Sequence, residues 1–123
     1  MKKILHLLSF MLLVPVFCGA QTYTSLWKKA QIAEISDQPR TRIRLLNEII
    51  TKATAEKKYG QLLKAEVDRV RVRYEIDPDS IVGDIKNLTA QMQKVEKSNP
   101  ALHAVYCVVL SKFYRNYYKL VDQ

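Results

Sequence analysis

The sequence predicts an all-α domain of about five antiparallel helices, arranged as a bundle or as stacked helical hairpins. After residue 20, glycine stands only at positions 60 and 83 and proline only at 39, 78 and 100, which leaves little room for the turns of an all-β fold. Each of the three prolines stands close to an Asp, Ser or Asn that can cap a helix, so each is predicted to begin one. Between these positions apolar residues recur at spacings of three and four, which is the period of an amphipathic helix.

Residues 1–20 are predicted to be a secretory signal peptide rather than part of the fold. The chain opens with two lysines, continues with an apolar stretch to Phe17, and places Cys18-Gly19-Ala20 directly before Gln21. The apolar stretch is shorter than the roughly 20 residues that a membrane-spanning helix needs, and small residues before the junction are typical of a cleavage site. We therefore expect export, a mature N-terminus at Gln21 and one helical domain over residues 21–123.

Cys18 leaves an alternative open, because a lipidated cysteine would anchor the chain to a membrane. A lipoprotein signal has a small residue directly before the cysteine, whereas Phe17 stands there. Cleavage after Ala20 is the reading that the sequence favours.

The first two predicted helices each carry a recognisable apolar face. The first runs from about residue 24 to 35 and the second from about 39 to 57. Their predicted buried residues are Leu26, Ala30 and Ala33 with Trp27 beside them, and then Ile43, Leu46, Ile50 and Ala53, with Leu45 and Ile49 widening the stripe.

The remaining three predicted helices differ in how much of their surface is apolar. The third runs from about residue 60 to 76, the fourth follows Pro78, and the fifth begins near Pro100. The fourth shows the most regular spacing, whereas the fifth is apolar on nearly all sides and is expected to have neighbours all round. The predicted buried residues are Leu63, Val67, Val70 and Tyr74 in the third; Ile81, Ile85, Leu88, Met92 and Val95 in the fourth; and Leu102, Val105, Tyr106, Val108, Val109, Leu110, Phe113, Tyr117 and Leu120 in the fifth.

The chain is basic, with 20 Lys and Arg against 12 Asp and Glu. The arginines form two short groups, at positions 40, 42 and 44 and at positions 69, 71 and 73, where alternation on a helix spreads the charges around the cylinder. A nucleic-acid-binding protein would instead present one continuous basic face with interleaved aromatic residues. We therefore expect a solvated basic surface and no nucleic-acid partner.

No catalytic, cofactor-binding or metal-binding site is predicted. His103 and Cys107 lie four residues apart on the fifth helix and share a face, but residues 21–123 contain no second His or Cys to complete a metal site. Because Cys107 stands in an apolar run, it is expected to pack as a small buried hydrophobic residue. The carboxylates show no paired arrangement specific enough for acid–base catalysis.

Two further features are candidate functional positions. Tyr114 and Tyr118 flank Arg115 on the side of the fifth helix away from its main apolar stripe, which is a pattern typical of a protein interface. The alternative is that these tyrosines pack as ordinary core. Asp79-Ser80-Ile81 resembles the Asp-Ser/Thr-aliphatic acceptor for O-glycosylation of exported proteins in some Gram-negative bacteria, and capping of the fourth helix by Asp79 or Ser80 would also explain it.

Three stretches taken together resemble the amino-terminal helical region of bacterial alpha-2-macroglobulin-like proteins, which are exported to the Gram-negative envelope. They are Ser25-Leu26-Trp27-Lys28-Lys29-Ala30 leading to Asp37-Gln38-Pro39, ATAEKKYGQLLKA from Ala53, and PALHAVYCVVLSKFYRNYY from Pro100. Members of that family trap proteases through a bait region and, in many cases, a Cys-x-Glu-Gln thioester. That motif is absent here, since Val-Val-Leu follows Cys107, so none of the trap's functional residues carries over.

The resemblance implies a non-catalytic helical module of the periplasm or cell envelope, with following domains of a longer chain or another protein as its partner. The abrupt end of the sequence after an apolar helix is compatible with a truncated piece. The alternative is a free-standing adaptor resembling tetratricopeptide proteins, although the positions that define that repeat are not in register. Membrane attachment is expected only if Cys18 is lipidated.

Overall fold

The computed structural model describes residues 21–121 of the chain, and the side chains of residues 21–116. Within these residues the chain forms helices and no strands, so the predicted all-α class is confirmed. The predicted signal peptide and Cys18 lie outside the described residues. The five helices are α1 (Tyr23–Ile35), α2 (Pro39–Glu56), α3 (Tyr59–Ile76), α4 (Ser80–Val95) and α5 (Pro100–Val121).

Two of the three prolines begin helices as predicted, and the third does not. Pro39 and Pro100 are the first residues of α2 and α5, and the Asn99 side chain caps α5 by accepting the Leu102 N–H at 3.1 Å. Pro78 instead lies in the turn before α4, which begins at Ser80. Aspartates organise that turn, because Asp77 Oδ1 accepts the Asp79 N–H at 3.1 Å, and no side chain caps α4 directly.

Left-handed residues terminate the first two helices and reverse the chain. Asp37, which was expected to cap α2, instead has a φ of 52° in the α1–α2 turn, and Lys57 has a φ of 55° at the end of α2. The Lys57 N–H reaches back to carbonyl oxygens of the last turn of α2, as in many helix C-termini. These tight reversals make consecutive helices pack as hairpins.

The hydrophobic interior consists of two clusters that share helix α3. Helix α2 packs against α1 and α3, and α3 packs in addition against α4 and α5. The first core lies between α1, α2 and α3, and its members are Leu26, Ala30, Ala33, Leu45, Leu46, Ile49, Ala65 and Val72. The second core lies mainly between α3, α4 and α5, and its members are Ala53, Leu62, Val70, Ile81, Leu88, Val105, Tyr106, Val109, Leu110 and Phe113.

The predicted buried faces agree best with the structure in helices that have neighbours on one side only. The faces predicted for α1 and α4 pack into the first and second cores, respectively. In α3 the predicted stripe is only part of the buried surface, because α3 lies between the two cores and buries residues on a second side. In α5 the prediction of neighbours all round is wrong, since Val108 is 41% exposed and Cys107 is also exposed.

Candidate functional site

A groove of about 610 Å³ runs between α1 and α3. Trp27 of α1 lines the groove, and its indole N–H donates to Gln61 Oε1 of α3 at 2.6 Å. The Lys64 ammonium lies 4.1 Å from the centre of the same ring, within range of a cation–π interaction. The groove therefore combines a half-buried aromatic surface with polar groups that are held in position. Its lining residues are Thr24, Trp27, Lys28, Ala30, Gln31, Glu34, Arg42, Lys64, Asp68 and Arg71.

The charged residues of the groove are mostly cationic, and two of them are already paired. Arg42 is 3.3 Å from Glu34, and Arg71 is 3.3 Å from Asp68. Among the described residues, neither Lys28 nor Lys64 has a carboxylate oxygen within salt-bridge distance. The two lysines thus leave a net positive charge beside the indole ring.

Arg42 corrects the expectation that all the arginines are solvated, because its side chain is only 7% exposed. It projects from α2 to the groove, where Glu34 of α1 balances its charge. Residue type alone gave no signal for this burial, although position 42 lies three residues before the buried Leu45 and therefore on a neighbouring part of the helix surface.

A second set of charged residues joins the helices on either side of α3. Glu66 is 2% exposed and accepts a hydrogen bond from Arg69 at 2.7 Å, while Arg69 also donates to Asn47 of α2 at 2.9 Å. Asp84 of α4 lies 3.1 Å from Arg73, as an ion pair whose angles are not those of a hydrogen bond. The arginines thus connect α3 to α2 on one side and to α4 on the other.

Burial dominates the electrostatics of this second set. Desolvation raises the pKa of Glu66 above its usual range, and Arg69 opposes that rise only in part. Desolvation likewise raises the pKa of Asp84, with Arg73 as the main opposing charge. The pKa of the Tyr106 phenol is raised by burial and by the nearby Glu66. Glu66 and Asp84 are thus largely buried carboxylates paired with arginines of α3.

The predicted tyrosine patch is described only in part. Tyr114 is 44% exposed and Arg115 is exposed, as an interface would require, whereas the Tyr118 side chain lies outside the described residues. An apolar cavity of about 200 Å³ opens near this end of α5, between Phe113, Tyr74 and Ile81. Whether a partner uses this surface stays a prediction.

Ser80, the predicted O-glycosylation site, is the first residue of α4. Its hydroxyl oxygen is buried and has no hydrogen-bond partner within the described structure. Attachment of a sugar would therefore require the start of α4 to open, and the site stays a prediction.

His103 and Cys107 lie side by side on α5, as their spacing predicted, but Cys107 is exposed rather than buried. The Cys107 sulfur is 3.4 Å from His103 Nε2 and 3.5 Å from the Met92 sulfur of α4. Met92 was predicted only as a core residue. Across the part of the chain that is described, no group of three or more His, Cys, Asp or Glu side chains is placed to share a metal ion.

Comparison of the chain with models of known protein families, with curated proteins and with solved structures found no match. Within residues 21–121, no helix is long and apolar enough to cross a membrane.

Proposed function

We propose that this chain is a non-catalytic, exported helical module that binds an extended, carboxylate-rich segment of another protein in the groove between α1 and α3. The observation that carries the proposal is the groove itself, in which Trp27 lies beside lysines that have no carboxylate partner among the described residues. Export is part of the proposal because of the signal-peptide pattern of residues 1–20.

The charges that line the groove favour an acidic peptide segment over a basic one. The groove is lined by four cationic side chains and two anionic ones, and each anionic side chain already faces an arginine. An acidic segment would gain ion pairs with Lys28 and Lys64 and would cover the apolar face of the indole. A basic segment would meet the same lysines as like charges, which costs affinity and slows association.

Tryptophan fluorescence tests the proposal directly, because Trp27 is the one tryptophan of the chain. Acidic peptides of about six residues, which when extended span roughly the 20 Å length of α1, should change the Trp27 emission saturably, and salt should weaken that binding. Peptides with the acids replaced by lysine should not bind. The double variant Lys28→Glu/Lys64→Glu should lower the affinity by at least about tenfold, since it reverses two charges at the groove.

The matched control is Lys86→Glu/Lys94→Glu, which changes the net charge equally on α4, away from the groove. This variant should bind acidic peptides as the unaltered protein does. Equal loss in both double variants would mean that overall charge, and not the groove, attracts the peptides. Absence of a saturable response to every acidic peptide would overturn the proposal.

The wider setting of the module is also part of the proposal. We infer a leading helical segment of an alpha-2-macroglobulin-like envelope protein, supported by the three resembling stretches and by a helical architecture that suits such a segment. The alternative adaptor, similar to tetratricopeptide proteins, is favoured by the hairpin packing of α1, α2 and α3 around a groove. The coding sequence discriminates between them, because only the first predicts that the reading frame continues into β-rich domains.

A further inference from the structure

Three side chains with metal-binding atoms meet on the surface between α4 and α5. The Cys107 sulfur lies 3.5 Å from the Met92 sulfur and 3.4 Å from His103 Nε2. Residues 21–123 contain one methionine, one histidine and one cysteine, and these are the three that meet. Since Met92 is on α4 and the other two are on α5, the packing of the helices assembles the set.

The backbone fixes the histidine ring in the orientation that a metal ligand needs. His103 Nδ1 lies 3.1 Å from the carbonyl oxygen of Met92. A carbonyl oxygen only accepts hydrogen bonds, so Nδ1 is the donor in this contact, and Nε2 is the ring nitrogen that faces Cys107. Metal-bound histidines usually donate the N–H of their other ring nitrogen to a carbonyl oxygen or a carboxylate, which fixes the orientation of the ring.

We propose that Met92, His103 and Cys107 bind a single Cu(I) ion. A thioether is a soft donor, and sets of thiolate, thioether and imidazole favour Cu(I). Structural zinc sites instead have four ligands drawn from thiolate, imidazole and carboxylate. No carboxylate among the described residues joins this cluster. Binding forms a copper–sulfur bond to Cys107 and breaks the S–H bond, whose proton passes to water. The copper remains Cu(I) throughout.

Two of the three donor–donor separations, those from the Cys107 sulfur to the Met92 sulfur and to His103 Nε2, need only a small adjustment to hold the ion. With metal–sulfur bonds of about 2.3 Å and metal–nitrogen bonds of about 2.0 Å, three donors in a trigonal arrangement lie roughly 3.7–4.0 Å apart. The observed separations of 3.4 and 3.5 Å therefore have to open by about half an ångström or less. Rotation of the flexible, unbranched Met92 side chain can open the sulfur–sulfur separation, and rotation of the exposed Cys107 side chain can open its separation from Nε2. The exposure of Cys107 leaves the site reachable from solvent.

Anaerobic titration of the exported, processed protein with Cu(I), in competition with the chromophoric chelator bicinchoninate, tests the proposal. We expect one copper per chain, and X-ray absorption at the copper edge should show two sulfur neighbours and one nitrogen. Cys107→Ser should weaken binding by at least about a hundredfold, since it removes the thiolate. Met92→Leu and His103→Gln should each weaken it by about tenfold or more.

The variants that each remove one ligand distinguish a three-ligand copper site from binding by the Cys107 thiol alone. Met92→Leu nearly conserves side-chain volume, and the circular dichroism of each variant reports whether it folds. If Met92→Leu and His103→Gln bind Cu(I) as tightly as the unaltered protein, the thiol acts alone and the proposal fails. A stoichiometry of one copper per two chains, or a tighter affinity for Zn(II) than for Cu(I), would also overturn it. None of these outcomes depends on peptide binding at Trp27.

Discussion

Replacement of Leu88 by alanine should destabilise both cores of the domain. Leu88 is 2% exposed in the second core, whereas Val82, on the same helix, is 64% exposed. Truncating a buried leucine costs about 2–5 kcal/mol in lost transfer free energy and cavity formation. An exposed side chain contributes within about 0.5 kcal/mol, so Val82→Ala is the matched control on the same helix.

Urea denaturation measures the difference. With a cost of about 3.5 kcal/mol, the middle of that range, and a denaturant dependence of about 2 kcal/mol/M, Leu88→Ala should lower the midpoint by roughly 2 M. Val82→Ala should leave the midpoint unchanged or raise it slightly, because alanine has the higher helix propensity. If Val82→Ala cost as much as Leu88→Ala, the buried face of α4 would be wrongly assigned.

Two probes show whether the cores unfold together. Circular dichroism follows all the helices, whereas Trp27 fluorescence follows the α1–α3 side of the domain. Because α3 contributes Leu62 and Val70 to one core and Ala65 and Val72 to the other, Leu88→Ala should shift both transitions equally. A shift seen by circular dichroism but not at Trp27 would show that the two cores unfold independently.

Three further outcomes follow from the sequence and the structure. The intact mass of the exported protein should correspond to a chain starting at Gln21, and a retained leader or a lipid would contradict the cleavage assignment. Because burial raises the pKa of the Glu66 and Asp84 carboxyls, the folded state holds their protons more tightly than the unfolded chain does. The free energy of unfolding should therefore fall as pH rises from below their ordinary pKa values through the raised ones, and Glu66→Gln should flatten that profile in a series of melts at different pH. Tyr114→Ser should cost less than about 1 kcal/mol in urea denaturation, because Tyr114 is 44% exposed. A cost as large as that of Leu88→Ala would place Tyr114 in the core.

Local patterns made much of the fold predictable. The spacing of apolar residues in α4 is set by the geometry of one helix packed on one side, so Ile81 and Leu88 could be assigned without knowledge of the neighbours. Pro39 and Pro100 could be assigned as helix starts for the same reason, since the effect of proline on the first turn is local. Pro78 shows where such local prediction fails, because a proline beside aspartates is as compatible with a turn as with the first residue of a helix.

What could not be predicted depends on which helices meet. Arg42 was expected at the surface with the other arginines, and no sequence pattern singled out Glu66 or Asp84, but each of the three is buried against a charged partner. The partners of Arg42 and Asp84 lie on other helices, so neither pairing is visible within one helix. The Glu66–Arg69 pair does have a local signal, the spacing of three, but solvent-exposed pairs share that spacing. Met92 joins His103 and Cys107 only through the packing of α4 on α5.

The central position of helix α3 explains why the groove and the division of the interior into two cores could not be predicted from the sequence. Lys64, Asp68 and Arg71 follow one another at spacings of four and three, so one strip of α3 lines the groove. Other strips pack into the first and second cores, and Arg69 and Arg73 reach the helices on either side. A helix with neighbours on two sides and a polar groove on a third buries more than one apolar stripe. The stripe predicted for α3 therefore captured only part of its buried surface, and the groove residues lie on a separate polar strip.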